Sequence, residues 1–344
     1  MTGRPAPQNP LDILLVNLWE EILGRPVGID DSLTELGVNG AVLDRLMARV
    51  ESELGRSVPT HDWNPPGTIK ALAAVLARHG VPAEPVGGHR SRVLARNTAG
   101  ERPPIIFMHG DFNGSGFYCL SLAAQLGPAQ PFYALMPHGL DGEAIPRTIE
   151  EMASDHLVTL RAVQPAGPYR LGGHCNGGII AFEMARRLEA EGERVAVLVM
   201  VASDVRSAAS ALPPAPARSW RGLLHSGWRH LRRTGGNVAV PTSTPPVADS
   251  RGARALAERQ RAHDERFAAY RRVLLAYAPG RYGGRVVLLW PEEQRGRHGG
   301  DPTHGWGAVT TELEIRAIPG GHLTCVTTHV REVATELRRT LDGA

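Results

Sequence analysis

The segment Gly172-Gly173-His174-Cys175-Asn176-Gly177-Gly178 constrains this chain more than any other. It has the form Gly-x-nucleophile-x-Gly, in which a strand turns so sharply into a helix that the central residue is forced into strained backbone angles. Only small flanking residues avoid a clash there. The flanks agree: Tyr169, Arg170 and Leu171 read as the end of a short strand, and Ile179, Ile180, Phe182, Met184, Ala185 and Leu188 as a mostly apolar helix. The candidate reactive atom is the sulfur of Cys175, where a hydroxyl usually sits. The plain alternative is a cysteine that only packs, since free cysteines are among the most buried residue types. Cys119 and Cys325 lack such a setting and read as structural.

The rest of the chain divides by pattern. Leu11, Leu14, Leu15, Leu18, Ile22 and Leu23 recur at helical spacing, followed by Leu43, Leu46, Met47 and Val50 and then by Ile69, Leu72 and Leu76. Residues 1–80 are therefore expected to form a small helical bundle. Residues 81–102, with Pro82, Pro85, Gly87, Gly88 and Gly100 and no periodicity, read as a linker. From 103 to 344 strand-like runs at 105–108, 132–135, 195–201, 285–290 and 313–318 alternate with helical ones, which predicts an α/β domain with a parallel sheet covered on both faces. Residues 205–270 break that rhythm with Pro213, Pro214, Pro216, Trp220 and Trp228, and are expected to form a lid. A length of 344 residues suits two such units.

Composition excludes several classes. Three scattered cysteines make no disulfide framework and no apolar run is long enough for a bilayer, so a cytoplasmic protein without a membrane anchor is expected. The net charge is +3 and the basic residues are almost all arginine, which points to no nucleic-acid partner. The Arg218, Arg221, Arg229, Arg232 and Arg233 cluster reads as a solvated lid face, and Trp306 as part of a lid or pocket. No histidine shows metal-ligand spacing, and the glycine-rich turn lacks the Lys-Ser/Thr of a phosphate loop, so neither a metal nor a bound cofactor is expected.

Pro104 to Gly110, Gln164 to Gly178, Ala181-Phe182-Glu183-Met184-Ala185 and Ile318-Pro319-Gly320-Gly321-His322 resemble the thioesterase domains of nonribosomal peptide and polyketide synthases. The resemblance implies an α/β-hydrolase fold with a helical lid, a catalytic triad, a place in natural-product (antibiotic) biosynthesis, and acyl groups delivered as thioesters on phosphopantetheine. Leu18-Trp19-Glu20-Glu21-Ile22-Leu23-Gly24 and Asp30 to Gly37 resemble the peptidyl or acyl carrier domains that often precede such thioesterases. Those carriers read Leu-Gly-Gly-Asp-Ser at the modified serine, whereas this chain reads Leu36-Gly37-Val38-Asn39-Gly40. Gly40 has no hydroxyl to hold the arm. The expectation is a pseudo-carrier, with substrate arriving on the phosphopantetheine of a separate carrier protein.

The resemblance assigns Cys175 as nucleophile and His322 as general base. Backbone N–H groups of Asn176 and Asp111 are expected to form the oxyanion hole. The acid is the least defined member. In the related thioesterases it directly follows the strand that ends here at Val201, a place held by Ala202; Asp204 lies two residues on and is favoured, with Glu292 (or Glu293) after the next strand as the alternative. A cysteine retains the acyl group as a thioester, so the expected activity is acyl or aminoacyl transfer from a carrier thioester to an amine, hydroxyl or thiol. A hydrolytic releasing or editing thioesterase and a non-catalytic docking module are the alternatives.

Overall fold

The structure, a computed structural model, describes residues 10–23, 27–54, 67–78, 93–110, 118–139, 144–205, 250–294 and 301–344, together with Val58, Trp63 and Gly116. Three helices come first: α1 (Pro10–Leu23), α2 (Gly40–Leu54) and α3 (Ile69–Arg78). Their apolar stripes converge, and Leu15, Trp19, Leu46, Val50, Ile69 and Leu72 form one buried cluster. Asn39 starts α2, its Oδ1 accepting the Val42 N–H at 3.0 Å as an N-cap.

The remaining elements alternate: β1 (Val93–Arg96), β2 (Ile105–Met108), α4 (Tyr118–Leu126), β3 (Phe132–Leu135), α5 (Ile149–Val163), β4 (Tyr169–His174), α6 (Asn176–Ala190), β5 (Val195–Val201), α7 (Ser250–Ala276), β6 (Tyr282–Pro291), β7 (Thr310–Ile318), α8 (Thr324–Thr327) and α9 (Val330–Asp342). The seven strands form one sheet in the order β1-β3-β2-β4-β5-β6-β7. Every pairing from β3 to β7 is parallel. Strand alternation sends Ile106, Met108, Leu171, Leu198, Met200, Val286 and Leu288 to one core beneath α5 and α6. Ile105, Phe107, Val197, Val199, Val201, Val287 and Leu289 go to a second core beneath α4 and α9. This is the α/β-hydrolase-like architecture expected, with near-continuous apolar strands buried on both faces.

The strands at 105–108, 132–135 and 195–201 have the expected bounds, whereas β6 and β7 each begin three residues earlier. The added Tyr282-Gly283-Gly284 and Thr310-Thr311-Glu312 carry too little hydrophobic signal to mark a strand. A larger difference is β1. Residues 93–96, read as linker, form an edge strand antiparallel to β3, with Val93, Leu94 and Ala95 buried. Four residues behind a Gly/Pro/Arg-rich stretch give no periodicity to read, and partner pairing supplies the structure.

Leu120 of α4 belongs to the same buried cluster as the N-terminal helices, so the bundle packs on the sheet domain at α4. Of the expected lid, residues 206–249 lie outside the described residues, including the arginine cluster, Trp220 and Trp228. Residues 250–270 belong to α7. Its C-terminal half is held on the segment after β3: Tyr270 donates its hydroxyl to the His138 carbonyl at 3.4 Å and Arg266 Nη1 donates to the Gly139 carbonyl at 3.1 Å. Among the described residues no helix is long and apolar enough to cross a membrane.

Candidate active site

The parallel strands end along one edge of the sheet, where open α/β sheets bind their ligands. Between β4 and α6 a single residue, Cys175, makes the turn, with φ 54° and ψ −125°. A non-glycine residue there is strained. The surroundings hold it: the Cys175 N–H donates to the Val201 carbonyl at 2.9 Å, and the Cys175 carbonyl accepts from Gly178 N–H at 3.1 Å and Ser203 Oγ at 2.7 Å. A methyl group on Gly177 would stand 2.1 Å from the Met108 carbonyl oxygen, so only glycine lets α6 begin this close to β2. The Cys175 side chain is half-buried.

Asn176 opens α6, so its N–H is among the helix donors without an intrahelical acceptor. Asp111, its expected partner, lies outside the described residues. The residue before it is placed. A methyl on Gly110 would lie 2.4 Å from the His174 carbonyl oxygen and 2.9 Å from Cys175 Cβ, so the chain after β2 passes directly over the elbow. Gly110 N–H donates to the Tyr118 hydroxyl at 3.3 Å. The Tyr118 ring meets His174 edge-on, centroids 5.2 Å apart, and His109 at 6.4 Å.

His322 arrives on the loop after β7, beyond Gly320 with φ 84°. That loop crosses the ends of β6 and β5 to reach β4. There His174 Nε2 donates to the His322 carbonyl at 2.9 Å, with the two rings 5.0 Å apart. The structure therefore brings the His322 main chain to the residue preceding Cys175. Its side chain is exposed. Cys325 also donates, its thiol 3.3 Å from the same carbonyl. Burial pushes the Cys325 thiol up to about 12, with Cys175 adding to the rise, so it stays protonated.

The two expected acids sit differently. Asp204 is buried, three residues beyond β5, at the strand end between those of β4 and β6. Glu292 is exposed on a short 3-10 turn after β6, where the next residue, Glu293, donates its N–H to the Gly320 carbonyl at 3.2 Å. Ala202, at the place where the resemblance puts the acid, has φ 49°. Trp306, read as lid or pocket, is instead core: fully buried, stacked obliquely on Phe182 at 4.7 Å and donating Nε1–H to the Ser203 carbonyl at 2.9 Å.

Sequence reasoning missed Ser203 and Tyr118. Only the two glycines flanking motifs, Gly110 after β2 and Gly178 opposite Ser203, carried any signal. A methyl on Gly178 would meet Ser203 Oγ at 1.9 Å. Among the described residues no group of three His, Cys, Asp or Glu is arranged to hold a metal ion.

Residues 104–341 match the family described as Thioesterase domain. A dimodular nonribosomal peptide synthase of Bacillus subtilis (strain 168) is 32% identical over 206 residues, covering 58% of this chain, which spans 8% of that relative's length. The crystal structure of the NocB thioesterase domain from the nocardicin cluster is 25% identical with a TM-score of 0.55, covering 73% of this chain and 99% of that one. The four-domain nonribosomal peptide synthetase AB3403, solved with AMP and glycine, is 24% identical with a TM-score of 0.58 and shares the fold over 98% of this chain and 26% of its own.

Proposed function

The chain belongs to the thioesterase domain family, and we propose that within it this protein is a cysteine-dependent acyl or aminoacyl transferase of natural-product biosynthesis. A separate carrier protein presents the acyl group on phosphopantetheine. Cys175 sulfur attacks the thioester carbonyl, the bond to the pantetheine sulfur breaks, and His322 moves the proton from the Cys175 thiol to the departing thiol. Asn176 N–H, with that of Asp111, stabilises the oxyanion; losing one such donor typically costs about 3 kcal/mol of the barrier. Asp204 orients His322. An amine, hydroxyl or second carrier thiol then attacks the acyl group and releases Cys175.

The single observation that carries this reading is Cys175 at φ 54° in an elbow whose preceding residue is hydrogen-bonded to His322. A cysteine that only packs has no need of strained backbone at the edge where strands end. The thioester on sulfur keeps most of the energy of the incoming one, which favours transfer to a nucleophile.

Delivery in trans rests on Gly40. It stands first in α2 behind the capping Asn39, with open space around the position of a Cβ, yet offers no oxygen to a pantetheinyl transferase. Hydrolysis by the same residues is the second reading, favoured by the exposed His322 side chain. The test is intact mass after exposure to a panel of acyl-pantetheine thioesters, with and without amine or thiol acceptors. A Cys175 adduct discharged by acceptor supports transfer; rapid free acid irrespective of acceptor replaces it with hydrolysis.

A further inference from the structure

We infer that His174 and Cys325 are positioning residues that clamp the His322 main chain and so fix the imidazole against Cys175. The inference rests on the proposed roles of Cys175 and His322 and adds a device that neither the family nor the sequence assigns.

Three observations converge. The His322 carbonyl accepts two hydrogen bonds from different elements, His174 Nε2 at 2.9 Å from the end of β4 and Cys325 Sγ at 3.3 Å from α8. Both donors are buried, His174 being 4% exposed and Cys325 0%, while the His322 side chain is exposed. A side chain facing solvent gains little precision from packing, so its backbone must supply it. Finally, His174 is bonded covalently to Cys175, so one hydrogen bond spans from the residue next to the nucleophile to the base.

The chemistry of the donors suits a permanent clamp. A carbonyl oxygen only accepts, so His174 must carry its proton on Nε2. Among the described residues its Nδ1, the acceptor nitrogen of this tautomer, has no hydrogen-bond partner. Burial first, then the neighbouring imidazole of His322 and, more weakly, that of His109, push His174 down to about 3, against the opposing effect of its own hydrogen bond to His322. The ring is therefore neutral well above that value. Its Nε2–H stays in place while His322 gains and loses its proton. A charged residue at this position would repel the imidazolium that forms during acyl transfer; a neutral donor does not.

The experiment reads Cys175 directly. The rate of Cys175 alkylation by iodoacetamide is followed against pH by peptide mass mapping, in the full chain, for wild type, His174→Leu, His174→Gln, Cys325→Ala and Cys325→Ser. A protonated imidazole beside a thiol lowers its pKa. Losing the clamp lets His322 drift, and the His174→Leu midpoint is expected to rise by about one pH unit. Acylation of Cys175 by the acyl-pantetheine panel should fall about tenfold to a hundredfold with KM unchanged. His174→Gln, which keeps a donor at similar reach, and Cys325→Ser should stay near wild type, and Cys325→Ala should lie between. A wild-type alkylation profile in a folded His174→Leu, or equal damage in His174→Gln, overturns the clamp. Because alkylation needs no acyl donor, failure of wild type to accept any acyl group would sink the proposed transferase while leaving this result readable.

Discussion

The N-terminal bundle and the sheet domain differ in what their packing surrounds. In the bundle the packing is whole: Leu15, Trp19, Leu46, Val50, Ile69 and Leu72 are buried together and Asn39 caps α2. The position behind that cap is nonetheless a glycine. In the sheet domain packing and a candidate reactive atom survive together, and Ser203, Gly177 and Gly110 surround the elbow with contacts that tolerate no added atom. A core is spread over many residues, whereas a modification site is one oxygen and a nucleophile one sulfur. An intact core therefore reports neither of them.

The contrast breaks most completely at Cys175. Cys175→Ala is expected to abolish the acyl adduct, read by intact mass, while circular dichroism and the urea midpoint stay near wild type. An adduct that persists on another residue would leave the elbow with packing alone. Next in size come the two glycines. Gly177→Ala places a methyl 2.1 Å from the Met108 carbonyl and should cost about 3 kcal/mol or prevent folding. Gly40→Ala meets nothing within 4 Å and stands in a helix, so urea unfolding should show a gain of about 0.5 kcal/mol. Opposite signs at two glycines of similar local appearance would measure how tightly each site is built.

Acid sharpens the same comparison through His174. Unfolded, that imidazole takes up a proton near 6.5; folded, it resists until about 3. Between those values the unfolded chain binds more protons, so stability falls as pH falls through this window. His174→Gln removes the titrating group and should flatten the decline, measured as urea midpoints from pH 7 to 4. Among the described residues the bundle has no histidine.

Much of this was legible in the sequence, for physical reasons that mark where reading stops. The elbow was legible because strained backbone demands small neighbours within a few residues, and β5 because Val195 to Val201 is continuously apolar. The base loop was legible through Ile318-Pro319-Gly320-Gly321-His322 and its resemblance. β1 was not, because a four-residue edge strand is specified by its partner β3. Ser203 was not, because one hydroxyl bonding a carbonyl 28 residues earlier has no sequence period. Trp306 was misread for the same reason: its contacts with Phe182 and Ser203 are far away in the chain.

The smallest expected effects come from two helix caps. Asn39 Oδ1 accepts Val42 N–H at 3.0 Å at the start of α2, and Thr148 Oγ1 accepts Glu151 N–H at 3.0 Å at the start of α5. Each substitution to alanine should cost about 1 kcal/mol. Neither residue approaches Cys175, so acylation rates should hold in both. What distinguishes them is coupling. Leu120 places the sheet domain's α4 inside the bundle's apolar cluster, so the two regions should unfold together, and both variants should shift one shared urea transition. Two transitions, each moved by only one variant, would mean that the α4 contact joins the regions without coupling their stability. The bundle would then be an attached module whose loss leaves the elbow intact.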